Sequence, residues 1–237
     1  MFETERLQKI QQLLNGKQAL SVQSLAQELF VSCTTIRRDL NELQRQGLVK
    51  RIHGGAVLIA GDAQELPLYM REKQNSGAKE LIAARAATHI RDGQVLFLDA
   101  SSTVQHLVPH LASFRDLTII TNGLKTAQAL SRLPHKVYCT GGLQLHNSSA
   151  YVGHIAERTI REFNADLFFF SSRGLAWDGR ITDASGEETQ LRRVMLEQSK
   201  KHIFLCDSSK FGADFCHNLC RIQQVDAFLS DKPFIQP

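Results

Sequence analysis

No apolar run in this sequence approaches the roughly 18 residues that a membrane span requires. The first twelve residues are charged and amphipathic where a secretory signal would be apolar, so a cytoplasmic protein without membrane contact is expected. Cysteines are few and odd in number, and Cys33, Cys139, Cys206, Cys216 and Cys220 lie scattered among apolar residues. That pattern suits reduced thiols better than a disulfide framework. No G-x-S-x-G, Walker A, G-x-G-x-x-G or H-E-x-x-H pattern occurs, which removes sequence support for those nucleophile, nucleotide and zinc chemistries. Cofactors are not expected. Cys216-His217-x-x-Cys220 offers three ligand types within five residues, but no second pair at matching spacing completes a metal site.

What is present is a globular composition, 43% hydrophobic and 22% charged over 237 residues. That length fits a small domain followed by a larger one. The formal charge of +4 is unevenly placed: residues 1–57 hold eight basic and five acidic side chains. This asymmetry points to a polyanionic partner for the N-terminal part.

Leu7, Ile10 and Leu14 recur at helical spacing and stop at Asn15-Gly16. Val22, Leu25, Ala26 and Leu29 mark a second helix capped by Ser21 and ending near Phe30. Ile36, Leu40 and Leu43 mark a third, opened by Ser32 after a connection so short that the two helices must cross sharply. At about 100° per residue, Thr34, Arg38, Asn41 and Arg45 project from the opposite face of this third helix, flanked by Thr35 and Arg37. Such side chains reach base edges in a major groove and bind phosphates, although a solvated helix face has the same look. Beyond Gly47, residues 48–57 read as two short strands around Gly54-Gly55, a wing that sets Lys50, Arg51 and His53 beside a duplex backbone.

From Leu58 to Ala78 periodicity fades and turn residues gather, as in an interdomain linker. From Lys79 onward six short apolar runs alternate with helical patterns: 94–98, 117–120, 136–139, 166–170, 202–206 and 225–229. The alternation predicts a Rossmann-like, mainly parallel α/β sheet covered on both faces. Polar and glycine-rich loops follow the strands: Asp99-Ala100-Ser101-Ser102-Thr103, Thr121-Asn122-Gly123, Gly141-Gly142, Ser171-Ser172-Arg173-Gly174 and Asp207-Ser208-Ser209-Lys210. In a parallel sheet these loops share the carboxyl edge, where ligands bind and helix N-termini favour phosphate. Asp99, Ser101, Ser102, Thr103, Thr121, Asn122, Gly141, Gly142, Arg173, Gly174 and Lys210 are therefore candidate ligand-binding positions for a phosphorylated small molecule.

Two sets of residues carry a family resemblance. Ser32-x-x-Thr35-Ile36-Arg37-Arg38-Asp39-Leu40 with Leu43, Gly47 and Arg51-x-His53-Gly54-Gly55-Ala56 resembles the helix-turn-helix signature of the DeoR family of bacterial sugar-catabolism regulators. Arg71, Lys79, Asp99-x-x-Ser102-Thr103, Thr121-Asn122, Gly141-Gly142, Gly153, Gly174, Gly179 and Asp207-x-Ser209-Lys210-Phe211-Gly212 extend the resemblance over nearly the whole chain. It implies a winged helix-turn-helix over 1–57, a linker over 58–78 and a sugar-phosphate sensor over 79–237. The sensor's fold is implied to be similar to that of ribose-phosphate isomerases. The implied function is a regulator, expected to be a repressor, of a sugar or carbohydrate catabolism operon, with operator DNA and a phosphorylated sugar as partners. A homo-oligomer, dimer or tetramer, is expected because paired half-sites let weak contacts act together. The resemblance departs at Ser101, where the family usually has glycine, and at Arg173, which is read as an effector-selecting contact. Asp39 is read as an acid that orients neighbouring arginines. The competing reading is an isomerase-like enzyme. Against it, the loop after residues 166–170 offers Ser171-Ser172-Arg173 and no carboxylate for acid–base chemistry.

Overall fold

The computed structural model describes residues 2–14, 19–52, 54–58 and 67–235. The chain divides into two compact units, Met1–Met70 and Arg71–Pro237.

In the first unit α1 (Glu3–Leu14) is followed by a two-residue strand β1 (Leu20–Ser21), α2 (Val22–Glu28) and α3 (Cys33–Arg45). Strands β2 (Val49–Ile52) and β3 (Gly55–Leu58) form an antiparallel hairpin, and β1 pairs with the outer side of β3. Ser21 and Ser32 cap α2 and α3 by accepting from the backbone N–H groups of Ser24 and Thr35, as the sequence suggests. Ile10, Leu14, Leu25, Ile36, Leu40 and Leu43 are completely buried in one core. At about 1.5–3 kcal/mol for each large apolar side chain buried, that core supplies most of what holds three short helices together. The helix exit read at Asn15-Gly16 lies outside the described residues.

The span read as a linker is partly helical. Its residues 59–66 lie outside the described set, while α4 (Leu68–Lys73) and α5 (Ser76–Ala87) occupy most of the remainder, separated by Asn75 in a left-handed conformation. The buried stripe of α5 is Lys79, Ile82, Ala83 and Ala86, a helical period whose first member is a lysine.

The second unit is built on six strands, β4 (Val95–Leu98), β5 (Thr118–Thr121), β6 (Lys136–Cys139), β9 (Ala165–Phe170), β12 (Ser199–Leu205) and β14 (Ala227–Leu229). All pairings among them are parallel, in the order β14-β12-β9-β4-β5-β6. Each falls on one of the six apolar runs read from sequence. Successive residues alternate between two cores: Leu96, Leu98, Ile119, Leu167, Phe169, Ile203 and Leu205 face one, and Phe97, Ile120, Phe168, Phe170 and Phe204 the other. Both faces are apolar, so both must be covered. The first face is covered by α5, α6 (Ser102–Gln105), a 3₁₀ turn at Val108–Ser113 and α7 (Leu124–Leu130). The second is covered by α8 (His154–Arg161) and α9 (Gly186–Glu197). There Phe168 stacks on Phe170 at 4.9 Å, and Phe170 packs on Phe204 at 5.3 Å.

Two smaller sheets complete the unit: a hairpin of β7 (Leu143–Gln144) and β8 (Tyr151–Val152), and an antiparallel trio of β10 (Gly174–Leu175), β11 (Arg180–Asp183) and β13 (His217–Arg221). Between β12 and β14 the described chain is a strand and two 3₁₀ turns, with no α-helix. No helix among the described residues is long and apolar enough to cross a membrane.

Candidate functional site

The third helix presents two chemically distinct faces. Thr34, Arg37, Arg38, Asn41 and Arg45 are exposed while Ile36, Leu40 and Leu43 are sealed, as the helical period requires. Thr35 is half-buried, and its hydroxyl shares a 2.9 Å hydrogen bond with the Ser32 cap. Arg45 is held by Glu42 one turn back, and Arg38 approaches Glu3 at 3.6 Å, both at exposed positions where such pairs are worth little. Lys50 is exposed on β2, and Arg51 reaches from the same strand to donate to the side-chain oxygen of Asn41. Wing and third helix are thus tied at two residues that the sequence reading treats as separate contacts. Arg37 and Arg51 line a cleft of about 650 Å³ with Ser21, Gln23, Ile52 and Gly54. His53 lies outside the described residues.

Asp39 corrects the sequence reading. It is completely buried and accepts from Arg6 Nε and Nη2 at 2.5 and 2.9 Å, so its partner comes from α1, not from Arg37 or Arg38. A bidentate pair of this kind fixes α1 against α3 and raises the Arg6 pKa.

In the second unit the parallel strands bring all five polar loops to one edge. From β4 the chain moves outward through β5 to β6, then crosses to β9 on the other side and continues through β12 to β14. The reversal of direction between β4 and β9 is a topological switch point, the place where open α/β sheets leave a crevice. Three candidate residues meet there. Lys210 Nζ donates to Ser171 Oγ at 2.9 Å and to Thr103 Oγ1 at 3.4 Å. Lys79, from α5, donates to Ser102 Oγ at 3.2 Å and to the carbonyl of Arg71. Ser101 caps α6, its hydroxyl accepting from Val104 N at 3.3 Å in an extended conformation that needs no glycine. Burial and the neighbouring Lys210 charge push the Lys79 pKa down to about 8. Asp207 sits below the ordinary carboxylate range: burial opposes its charge, and Lys210, Ser209, Lys79 and Asn75 outweigh burial.

Asp99 has a different employment. Both its oxygens are engaged: Oδ1 accepts from Ser101 N at 2.9 Å, and Oδ2 accepts from Ser171 N at 3.1 Å and from Arg192 Nε at 2.9 Å. Arg192 also donates to Asp183 at 3.0 Å and to Glu188 at 2.8 Å, and all four side chains are buried. Burial works against the guanidinium charge, and Asp183, Asp99 and Glu188 overcome it and raise its pKa. Asp99 is therefore the pin that holds the β4 and β9 loops together.

The remaining candidates stand apart from the lysines. Thr121 Oγ1 accepts from Gly123 N, and Asn122 Nδ2 donates to Tyr151 O at 3.1 Å, fastening the β5 end to the β7–β8 hairpin. Gly141 and Gly142 turn the chain into β7. At Gly142, φ is +111° and a Cβ would lie 2.6 Å from Val152 O, so a side chain there is excluded twice over. At Gly174 a Cβ would lie 2.3 Å from Ala213 O, which explains glycine by close approach. Arg173 places its guanidinium 5.0 Å from the Phe215 ring, and its Nη1 donates to no acceptor among the described residues. Cys216 is exposed and Cys220 half-buried, its thiol pushed up to about 12 by burial; among the described residues no three metal-ligating side chains converge.

Sequence reasoning assigned no role to Ser171 or Arg192, and Lys79 entered it through the family resemblance alone. The spacing of Glu188 and Arg192, one helical turn apart, was the legible sign of the carboxylate network.

Family comparison agrees with this geometry. Residues 6–61 match a DeoR-like helix-turn-helix domain, and residues 74–232 match the DeoR C-terminal sensor domain. The chain belongs to the DeoR family of transcriptional regulators. It is 36% identical over 232 residues to the HTH-type transcriptional regulator GolR of Listeria innocua, covering 98% of this chain and 91% of that protein. It is 31% identical over 234 residues to the glycerol-3-phosphate regulon repressor of Escherichia coli, covering 98% and 92%. Among solved structures, the tetrameric eIF2B-β2δ2 complex from C. thermophilum aligns with a TM-score of 0.50 at 14% identity, over 70% of this chain and 59% of that one, a likeness of fold alone. A ribose 5-phosphate isomerase from Methanocaldococcus jannaschii aligns more loosely, with a TM-score of 0.43 at 14% identity over 58% and 55%.

Proposed function

We propose that this DeoR-family chain is a cytoplasmic repressor of a carbohydrate-catabolism operon, and that a phosphorylated sugar held between the ends of β4 and β9 sets its affinity for operator DNA. The observation that carries this reading is the convergence of two lysines on three hydroxyls at the switch point. Lys79 and Lys210 contact Ser102, Thr103 and Ser171, a cationic, donor-rich spot of the kind a phosphate dianion needs. The E. coli relative is named for a glycerol-3-phosphate regulon, which accords with an effector carrying a phosphate ester. Catalysis is disfavoured because the loop after β9 supplies serines and an arginine where proton abstraction would require a carboxylate.

On the DNA side, Thr34, Arg37, Arg38 and Asn41 enter the major groove, and Arg45, Lys50, Arg51 and His53 serve the phosphates. Thr35 lies at the start of the reading helix. Two copies engaging two half-sites supply the affinity one small module lacks. Fluorescence anisotropy on duplexes from the upstream region of the protein's own gene tests this. Arg38→Ala is expected to cost about 1–3 kcal/mol and relax base preference, whereas Lys50→Ala weakens all sequences alike and lowers the salt slope by about 1. Equal binding of the intact protein to every duplex would refute the assignment.

A further inference from the structure

One hydrogen bond within the first unit bears on how α3 reads DNA. Val49 and Arg51 stand two apart on β2 and so share a face of that strand. Val49 is completely buried in the core with Ile36, Leu40 and Leu43, which turns that face of β2 toward α3. Arg51 follows at the rim of this core. It is half-buried, its Nε is enclosed and has no hydrogen-bond partner among the described residues, and its Nη1 donates to Asn41 Oδ1. Asn41, next to Leu40 on α3, is exposed. The nearby Arg38 and Arg45 turn to Glu3 and Glu42, so the cation on Asn41 comes from the wing. A guanidinium carries donors and no acceptor, so the atom it meets can only be the amide oxygen. The orientation of the Asn41 amide is thereby fixed: its oxygen faces the wing, and its NH2 group meets no acceptor among the described residues.

We propose that Arg51 makes Asn41 a donor-only reader, which selects a base presenting a keto oxygen in the major groove, guanine or thymine, over the amino-bearing adenine and cytosine. This rests on the placement of α3 in the major groove given above. An asparagine that reads adenine uses both ends of its amide, the NH2 group on N7 and the oxygen on the N6 amino group. Here that oxygen already accepts from a cation. Its second lone pair would have to receive the adenine amino group beside the guanidinium, where two donors of like polarity crowd one acceptor. Guanine offers N7 and O6 and thymine offers O4, acceptors that suit both the NH2 group and the nearby positive charge. Arg51 is thus a positioning residue for base readout, and other N–H groups of its guanidinium still serve a phosphate.

Selection of duplexes from a randomised pool by the full chain, followed by sequencing, reads the base preference at every operator position. Asn41→Ala identifies the position that Asn41 reads, as the one whose preference it flattens. In the unaltered protein guanine or thymine is expected there, favoured at least about fivefold over adenine. Arg51→Met frees the amide oxygen and is expected to move that position toward adenine by at least about fivefold, whereas the same substitution made in Asn41→Ala moves nothing there. A phosphate contact acts on all sequences alike, so its loss cannot produce that shift. Adenine or cytosine ranked first by the unaltered protein overturns the proposal without recourse to any Arg51 variant. So does an Arg51→Met protein, folded by circular dichroism, that keeps the keto preference, or an Asn41→Ala protein whose preferences match those of the unaltered protein at every position. If the unaltered protein selects no sequence at all, the DNA-reading assignment itself fails and this one with it.

Discussion

Removing the Arg192 guanidinium, as in Arg192→Met, leaves Asp99, Asp183 and Glu188 buried against one another without their shared cation. Taking one partner from a buried ion pair costs about 3–5 kcal/mol, because the remaining charge is stranded away from water. Arg192 is 5% exposed and its three partners no more than 4%, so solvent screening does little to reduce that figure. In a domain of this size each kcal/mol moves the midpoint by about 2–4 °C, giving a drop of about 6–20 °C. The only tryptophan, Trp177, lies between β10 and β11 in the same unit, so its emission follows the melting of that unit directly. Arg192→Lys, which keeps one cation but cannot span three carboxylates, should recover only part of the loss. A loss under about 1 kcal/mol would refute this reasoning.

Other perturbations probe separate parts of the structure. Lys79, at about 8, is partly neutral near pH 8, and a bound phosphate favours its charged form. Its pKa therefore rises on binding: effector affinity is full below about 8, falls as pH climbs through the bound-state value, and binding near pH 8 takes up protons measurable by calorimetry in two buffers. Asp39→Ala removes the buried carboxylate to which Arg6 donates twice and should destabilise the first unit by about 3–5 kcal/mol, seen as faster hydrogen exchange in peptides from α1 and α3. Phe30 is 94% exposed with φ of +54°, so Phe30→Gly removes strain without losing packing and should stabilise that unit by about 1 kcal/mol, seen as slower exchange in the same peptides.

The strands of the large sheet were legible because each is a short apolar run bounded by polar loops, and their parallel pairing followed from the helical patterns between most of them. The third helix was legible for the same reason, a strong division between Ile36, Leu40 and Leu43 and the polar residues opposite. Other features depend on distant partners. Asp39 sits beside two arginines in sequence and pairs with a third, Arg6, 33 residues away, because burial sends its side chain to the inner face of α3. Helix α5 was obscured by Lys79, a charge at a core position, and α4 is too short to show a period. Strands β7, β8 and β10 have two residues each, fewer than alternation needs to declare itself. Asp99 is read from sequence as a ligand-binding candidate, and its contact with Arg192 spans 93 residues, so no local pattern announces that ion pair.

The most direct test of effector-controlled DNA binding is fluorescence anisotropy on an operator duplex titrated with sugar phosphates and their unphosphorylated parents, for the intact protein and for Lys210→Met. A change in operator affinity produced by one phosphorylated sugar, absent with its parent and strongly reduced in Lys210→Met, is the expected result. Specific operator binding that ignores every phosphate ester, or a response that survives loss of Lys210 undiminished, would contradict the assignment of the strand-end crevice as the sensor.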